Sequence, residues 1–182
     1  MKIWSILPVN FLLVGYNCEE TTFLEEMKSM AGINEFVSGW MRHRKVLHEL
    51  LDTFEDQHLS YKPWEEAMSL SELVLHISGA MEMFTDTVKN GVFTPPSGPS
   101  NNIETVSELK GLVEAQTNET KTKLEALTND QLEAIVEFAG MKMPGLILLD
   151  SAKDHEIHHK GQLFTYARLL GIQSLPFFVN RS

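Results

Sequence analysis

The chain has 182 residues, of which 43% are hydrophobic and 22% are charged, close to average globular usage. This length suits one domain with a hydrophobic core. Because 25 acidic residues outnumber 15 basic ones, the net charge of −10 argues against nucleic acids and anionic membranes as partners. The single cysteine, Cys18, excludes an intrachain disulfide and a cysteine-based zinc cluster, so any transition-metal site must use histidine and carboxylate ligands.

Residues 1–21 form an amino-terminal extension of uncertain role. Residues 3–16 are apolar and resemble a weak signal-peptide core, but polar and proline residues interrupt the run and it is too short to span a bilayer. Three interpretations stay open: a cleaved export segment, with a lipoprotein cysteine at Cys18 as one variant; an extension packed on the domain; or translation that starts at Met27 or Met30. We expect a cytoplasmic protein, with export as the less favoured alternative.

The apolar period of 3.6 residues predicts helices and no extensive sheet. The first helix covers about 22–56, and its apolar face continues through Ile33, Val37, Trp40, Leu47, Leu51 and Phe54. Ser69 and Glu72 have the spacing of a capping box, so a second helix covers about 70–89 and ends at Asn90-Gly91.

A long crossover loop follows the second helix, because residues 94–102 are rich in Pro, Gly, Ser and Asn. The third helix covers about 104–127. Residues 131–143 form a short extended or helical excursion before Pro144, which suits the first turn of a fourth helix over 144–170. Four long helices with one crossover and a short carboxy-terminal extension predict an all-α four-helix bundle over residues 22–182.

Two histidines of the fourth helix have the spacing of a metal-binding pair. His155 and His159 are four residues apart, on a series that continues through Leu148, Ala152, Gln162, Tyr166 and Leu169 and that we expect to face the core. His158 belongs to a more polar series and should point away. On the second helix, His76 falls at mid-length on the apolar face, so packing of the two helices would bring His76 to the pair.

Three neutral imidazoles leave coordination positions open for water or substrate, as in catalytic zinc sites. For each histidine alone, a hydrogen-bonded or solvated side chain is the competing interpretation. The three together predict a site for one divalent transition-metal ion, with zinc, nickel or iron as candidates.

The carboxy-terminal signature carries a family resemblance. Residues 154–163 have the sequence DHEIHHKGQL, in which a histidine, three residues, a second histidine, a basic residue and Gly-Gln follow one another. This pattern resembles the DinB-like (DinB/YfiT-like) family of metal-dependent enzymes, although Lys160 stands where arginine is common. Residues 73–77, with His76, look like the first ligand segment of the family. Trp64 and Ser69 also match the approach to that helix, and the resemblance covers about residues 22–178.

The resemblance implies a four-helix bundle whose metal ligands are His76, His155 and His159, frequently in a homodimer. It also implies thiol-dependent transferase or isomerase chemistry on an unknown small-molecule substrate, with a low-molecular-weight thiol as a candidate. Hydrolysis by a metal-bound hydroxide is a second possibility, for which no general base or other catalytic residue is assigned. The alternative class is a non-catalytic metal-binding stress or interaction protein.

Several neighbours of the histidines have open roles. Glu72 is a candidate to orient His76 or simply to cap the helix, whereas Asp154 and Glu156 are expected to point off the inner face. Lys160 and Gln162 either hold an anion or an imidazole, or are a solvated lysine and a packed amide. Arg44 either pairs with a buried carboxylate or extends to the surface. Gly161, inside a helix, would permit close approach of another helix or subunit.

Overall fold

The computed structural model describes residues 18–96 and 103–181, with side chains from residue 32 onward. The largest part of the described chain is helical, with one small two-stranded sheet. The long helices are α1 (Cys18–Leu51), α2 (Leu70–Asn90), α3 (Val106–Glu125) and α5 (Gly145–Leu169). The predicted export segment lies largely outside the described residues, and the division at residue 21 stays a prediction.

The long helices pack in a closed order, in which α1 contacts α3 and α5, and α2 contacts the same two helices. The first helix ends five residues earlier than predicted, and a short 3₁₀ helix (Asp56–His58) follows it. Two apolar clusters fill the interior. One includes Leu47, Leu73 and Leu163, and the other includes Trp40, Met81 and Leu148.

Local sequence explains where α2 begins and ends. The Ser69 hydroxyl accepts a hydrogen bond from the Glu72 N–H, and the Glu72 carboxylate accepts one from the Ser69 N–H at 2.6 Å. The predicted capping box is therefore confirmed. Gly91 ends the helix with φ 71°, a left-handed conformation that glycine adopts without steric cost.

The excursion before the last helix contains both of the predicted kinds of structure. A short helix, α4 (Asn129–Glu133), is followed by the antiparallel strands β1 (Ile135–Phe138) and β2 (Met141–Pro144). Pro144 is the residue before α5 rather than its first residue. Gly145 must be small, since an added Cβ would lie 2.5 Å from the Gln131 carbonyl oxygen.

The carboxy-terminal extension returns to α1. The Asn180 N–H donates to the Arg42 carbonyl at 3.0 Å, and the Arg42 side chain donates to the Asn180 carbonyl. None of the helices in residues 18–96 and 103–181 is long and apolar enough to cross a membrane.

Candidate metal centre

The imidazoles of His76, His155 and His159 meet between α2 and α5. The Nε2 atom of His76 lies 3.1 Å from Nε2 of His155 and 3.2 Å from Nε2 of His159. The pair on α5 is held by the helix itself, because residues four apart are neighbours on a helical surface. In the described part of the chain, these three form the group of His, Cys, Asp and Glu side chains placed to share a metal ion.

The cluster lies at the edge of the helical packing, not in the core. His76 is exposed and the other two histidines are half-buried. The predicted core-facing series on α5 is right in part, since Leu148, Ala152 and Tyr166 are buried, whereas the two histidines are half-buried and Leu169 is exposed. The buried face is rotated away from the histidines and also includes Leu149, Glu156, Lys160, Leu163 and Ala167.

The orientation of His159 is set by its neighbour one turn later. The Nδ1 atom of His159 lies 2.8 Å from Oε1 of Gln162, and this oxygen can only accept, so Nδ1 carries the proton. In the neutral ring, Nε2 of His159 then has the lone pair, which points at His76. Gln162 thus holds an imidazole, one of its predicted roles.

His155 has a different environment. Its Nδ1 atom is buried and has no hydrogen-bond partner within the described residues. Burial first, and then the positive charges that His159 and His76 would carry, lower the pKa of His155 to about 4. Burial, followed by the charge of His159, also lowers the pKa of His76. Both rings are consequently neutral at pH 7, which is the form that binds metals.

Glu156 is in the core, which corrects the expectation that it points away. Its carboxylate accepts hydrogen bonds from Nε1 of Trp40 at 2.8 Å and from Nη2 of Arg44 at 2.7 Å. Both members of the ion pair are almost completely buried, with exposed side-chain fractions of 0% and 1%. Arg44 is thus the buried partner of a carboxylate, one of its two predicted roles. Along α1 and α5, this buried ion pair lies between the residues of the two apolar clusters.

The sequence contained a signal for this buried ion pair. The signal was missed because a different face of α5 was expected to point inward. On α5, Glu156 interrupts an otherwise largely apolar series at helical spacing, and Arg44 occurs on the inner face of α1. A carboxylate and a guanidinium inside two apolar series indicate a buried pair, because either charge alone would be costly.

A family model settles the relationship of the chain to known proteins. The model of the DinB family matches residues 26–181. The chain belongs to the DinB family. The family resemblance inferred from the histidine pattern is thereby confirmed.

Two proteins of known sequence or structure illustrate the similarity. The uncharacterized protein YjoA of Bacillus subtilis strain 168 is 39% identical over 155 residues, which are 84% of this chain and 99% of the relative. The crystal structure of that DinB-like protein superposes with a TM-score of 0.72 at 37% identity, covering 81% of this chain and 99% of the other. A DinB-like protein from Bacillus cereus ATCC 10987 shares the fold, with a TM-score of 0.67 at 21% identity over 78% of this chain and 94% of the other.

The remaining family-signature residues have structural roles that the sequence left open. The buried Lys160 donates to the Phe178 carbonyl and lies 2.9 Å from Nδ1 of His43, so it anchors the carboxy-terminal extension rather than an anion at the triad. Burial lowers the pKa of Lys160 to about 8, against the opposing charge of Glu156. At Gly161 an added Cβ would meet no atom of the described residues within 4 Å, so close approach of another described helix does not explain the glycine.

The expected outward direction of His158 is confirmed. Its side chain is exposed, and its Nε2 atom lies 3.3 Å from Nε2 of Gln162. Asp154 is also exposed. Glu72 caps the beginning of α2, which is one of its two predicted roles.

Proposed function

We propose that this DinB-family protein binds one divalent transition-metal ion through His76, His155 and His159 and acts as a metal-dependent enzyme. The convergence of three Nε2 atoms carries the proposal. A tetrahedral ion with metal–nitrogen distances of about 2.0–2.1 Å separates its ligand atoms by roughly 3.3 Å. The observed separations of 3.1 and 3.2 Å are close to this value.

Hydrogen bonds among the three imidazoles cannot satisfy all three Nε2 atoms at once. Since His159 carries its proton on Nδ1, its Nε2 is an acceptor, and a single proton on Nε2 of His76 can be donated fully to only one of its two neighbours. One cation would be shared by all three lone pairs. Zinc, nickel and iron all accept imidazole, and the donor set does not choose among them.

The donor set also supports a catalytic type of site. Three protein ligands leave a position for substrate, and the bound ion would act there as a Lewis acid for an anionic group such as a thiolate. Gln162 fixes the direction of His159, and the exposed ring of His76 leaves one side of the cluster open to solvent. We infer that a small molecule approaches from this side.

Of the two reaction types, transfer to or from a low-molecular-weight thiol is better supported than hydrolysis. Hydrolysis would be helped by a general base near the ion. Of the two carboxylates that flank His155 in sequence, Glu156 is fully engaged by Arg44 and Trp40, and Asp154 is not among the side chains placed to share the ion. A thiolate is itself the nucleophile, so thiol transfer requires no such base. That neither flanking carboxylate joins the triad among the described residues also favours the alternative, a non-catalytic metal-binding stress or interaction protein.

The proposal also covers the arrangement of the helices and the location and assembly of the protein. We propose that the four long helices form the four-helix bundle predicted from the sequence, and that the protein is a cytoplasmic homodimer. The exposed apolar side chains available for association include Trp64, Ile147, Leu169, Phe177 and Phe178. A dimer would cover part of this surface.

Calorimetric titration of metal-free protein with Zn²⁺, Ni²⁺ and Fe²⁺ tests the metal site. We expect one ion per chain, and replacement of His76, His155 or His159 by alanine should weaken binding by more than the ~10–100-fold that loss of an outer partner costs. The matched control is His158→Ala, which removes an exposed imidazole beside the site and should leave stoichiometry and affinity nearly unchanged.

Circular dichroism of each metal-free variant should match the parent, since the ligands lie outside the apolar core. Retained binding in all three triad variants would refute the site. Loss of the ion in His158→Ala with binding kept in His159→Ala would show that the helix face is assigned wrongly. Metal binding with no turnover of thiol substrates would favour the non-catalytic alternative.

A further inference from the structure

Three phenylalanine rings form a continuous row that begins at the triad. The ring of Phe84 lies 6.2 Å from the His155 ring, between ring centroids. Phe138 follows at 4.7 Å from Phe84, and Phe93 at 5.8 Å from Phe138. These distances are those of favourable aromatic pairs, so the three rings pack on one another in sequence.

The row becomes more accessible with distance from the histidines. Phe84 is buried, Phe138 is half-buried, and 54% of Phe93 is exposed. On α2, the half-buried Ala80 lies between His76 and Phe84 on one helical face, and its small side chain fills little space there. The two outer rings are therefore accessible to solvent, and the buried Phe84 connects them to the His155 ring.

Both outer rings are held by specific backbone structure. Phe93 follows the left-handed Gly91, and the Thr94 N–H next to it donates to Oγ1 of Thr87 at 3.1 Å. Phe138 precedes a two-residue turn formed by Ala139 and Gly140, whose φ angles are 51° and 79°.

Two positive φ angles are typical of a type I′ turn, and alanine adopts this conformation at a cost. The strained turn fixes the end of β1, and with it the position of the Phe138 ring.

We propose that the row Phe84–Phe138–Phe93 is a substrate subsite that receives an uncharged aromatic group of a molecule whose polar end reaches the triad. This inference rests on the proposed metal site and names the class of its substrate. A second aromatic ring would pack against Phe138 and Phe93 and cover apolar surface that is now exposed to water. The buried Phe84 supports the row and connects it to His155.

A pair of hydroxamates tests the subsite independently of thiol chemistry. Benzohydroxamate and acetohydroxamate share one metal-binding group and differ in a phenyl or a methyl tail. The protein is first loaded with Co²⁺, whose visible absorption reports both metal binding and hydroxamate binding. We expect benzohydroxamate to bind about tenfold or more tightly than acetohydroxamate, because burial of the additional apolar area strengthens binding.

Variants assign the preference to the row. Phe93→Ala and Phe138→Ala should each reduce the preference for the phenyl tail severalfold, while the affinity for acetohydroxamate and for Co²⁺ stays unchanged. The control is Phe177→Ala, which removes another exposed ring that packs on Phe178 in the carboxy-terminal extension. If Phe138→Ala unfolds, Phe138→Leu and the exposed Phe93→Ala still provide the comparison.

The possible failures are distinct. Equal affinity of the two hydroxamates, or a preference that survives both row variants, would overturn the subsite and leave the metal site standing. Binding of Co²⁺ without binding of either hydroxamate would overturn the subsite as well. Absence of Co²⁺ binding would overturn the proposed metal function on which the subsite depends.

Discussion

Replacement of Glu156 by alanine should strongly destabilise the fold. The carboxylate accepts three hydrogen bonds, two from Arg44 at 2.7 and 3.1 Å and one from Trp40 at 2.8 Å. Its removal leaves the Arg44 guanidinium with an exposed side-chain fraction of 0% and without its anionic partner. Breaking a buried ion pair from one side typically costs about 3–5 kcal/mol. We expect a loss of that size in the free energy of unfolding.

The double variant Arg44→Met/Glu156→Leu separates the buried charge from the loss of packing. With both charges gone, the main penalty is the unpaired Nε1 of Trp40, for which about 1–3 kcal/mol is typical. The double variant should therefore be more stable than Glu156→Ala, although it carries one more substitution. This reversal follows only if the destabilisation comes from an uncompensated charge.

Urea unfolding followed by circular dichroism, on metal-free protein at pH 7, measures these differences through the midpoint at constant m-value. In a thermal scan, a loss of 3–5 kcal/mol corresponds to a decrease in Tm of roughly 6–20 °C for a chain of this size. A cost below about 1 kcal/mol for Glu156→Ala, or a double variant less stable than the single one, would refute the reasoning. Exposed Glu133→Ala is the control and should change little.

Two further predictions concern pH and assembly. Burial first, and then the charge of Arg44, lower the pKa of His48, against the opposing charges of Glu114, Glu156 and Asp52. The unfolded chain then takes up a proton near pH 6.5 before the folded one does, so His48 contributes a loss of stability as pH falls from 7 to 5. Urea unfolding at both pH values should show a smaller loss in His48→Gln, and an equal loss would contradict it. Light scattering at micromolar concentration should show a dimer, and the 20.6 kDa monomer mass alone would count against the proposed association.

The helices and their boundaries were largely predictable because local signals agree with the packing. The capping box at Ser69 and the stop at Gly91 were found from residue type alone, and both are present in the structure. The end of α1 was not predicted, because apolar residues continue through Phe54 after the helix has ended at Leu51. Phe54 lies just after the turn that follows α1, and its side chain is buried in the core. Hydrophobic periodicity does not distinguish such a residue from a helical one.

The sequence predicted which three histidines lie together, but not how far they are from the core. The His155–His159 spacing identifies two neighbours on a helix whichever way that helix is rotated. The rotation of α5 was predicted only in part: Leu148 and Tyr166 are buried as expected, but a face with Glu156 and Lys160 appears too polar for a core. Pairing with Arg44 stabilises the buried Glu156 carboxylate, and contacts with Phe178 and His43 stabilise the buried Lys160. These partners lie more than a hundred positions away in sequence or in an irregular segment, so no local pattern indicates them.

The rotation of α5 has a consequence for the function of the triad. With Glu156 turned inward to Arg44, the neighbouring His155 is placed at the boundary between α2 and α5, where His76 is exposed. The apolar core consists of two clusters, and none of the three histidines belongs to either of them. Closed structural zinc sites, in contrast, supply the folding energy of their domains. Because the three histidines lie at the edge of the core, next to partly exposed rings, we propose that an ion held there would serve a substrate rather than the fold.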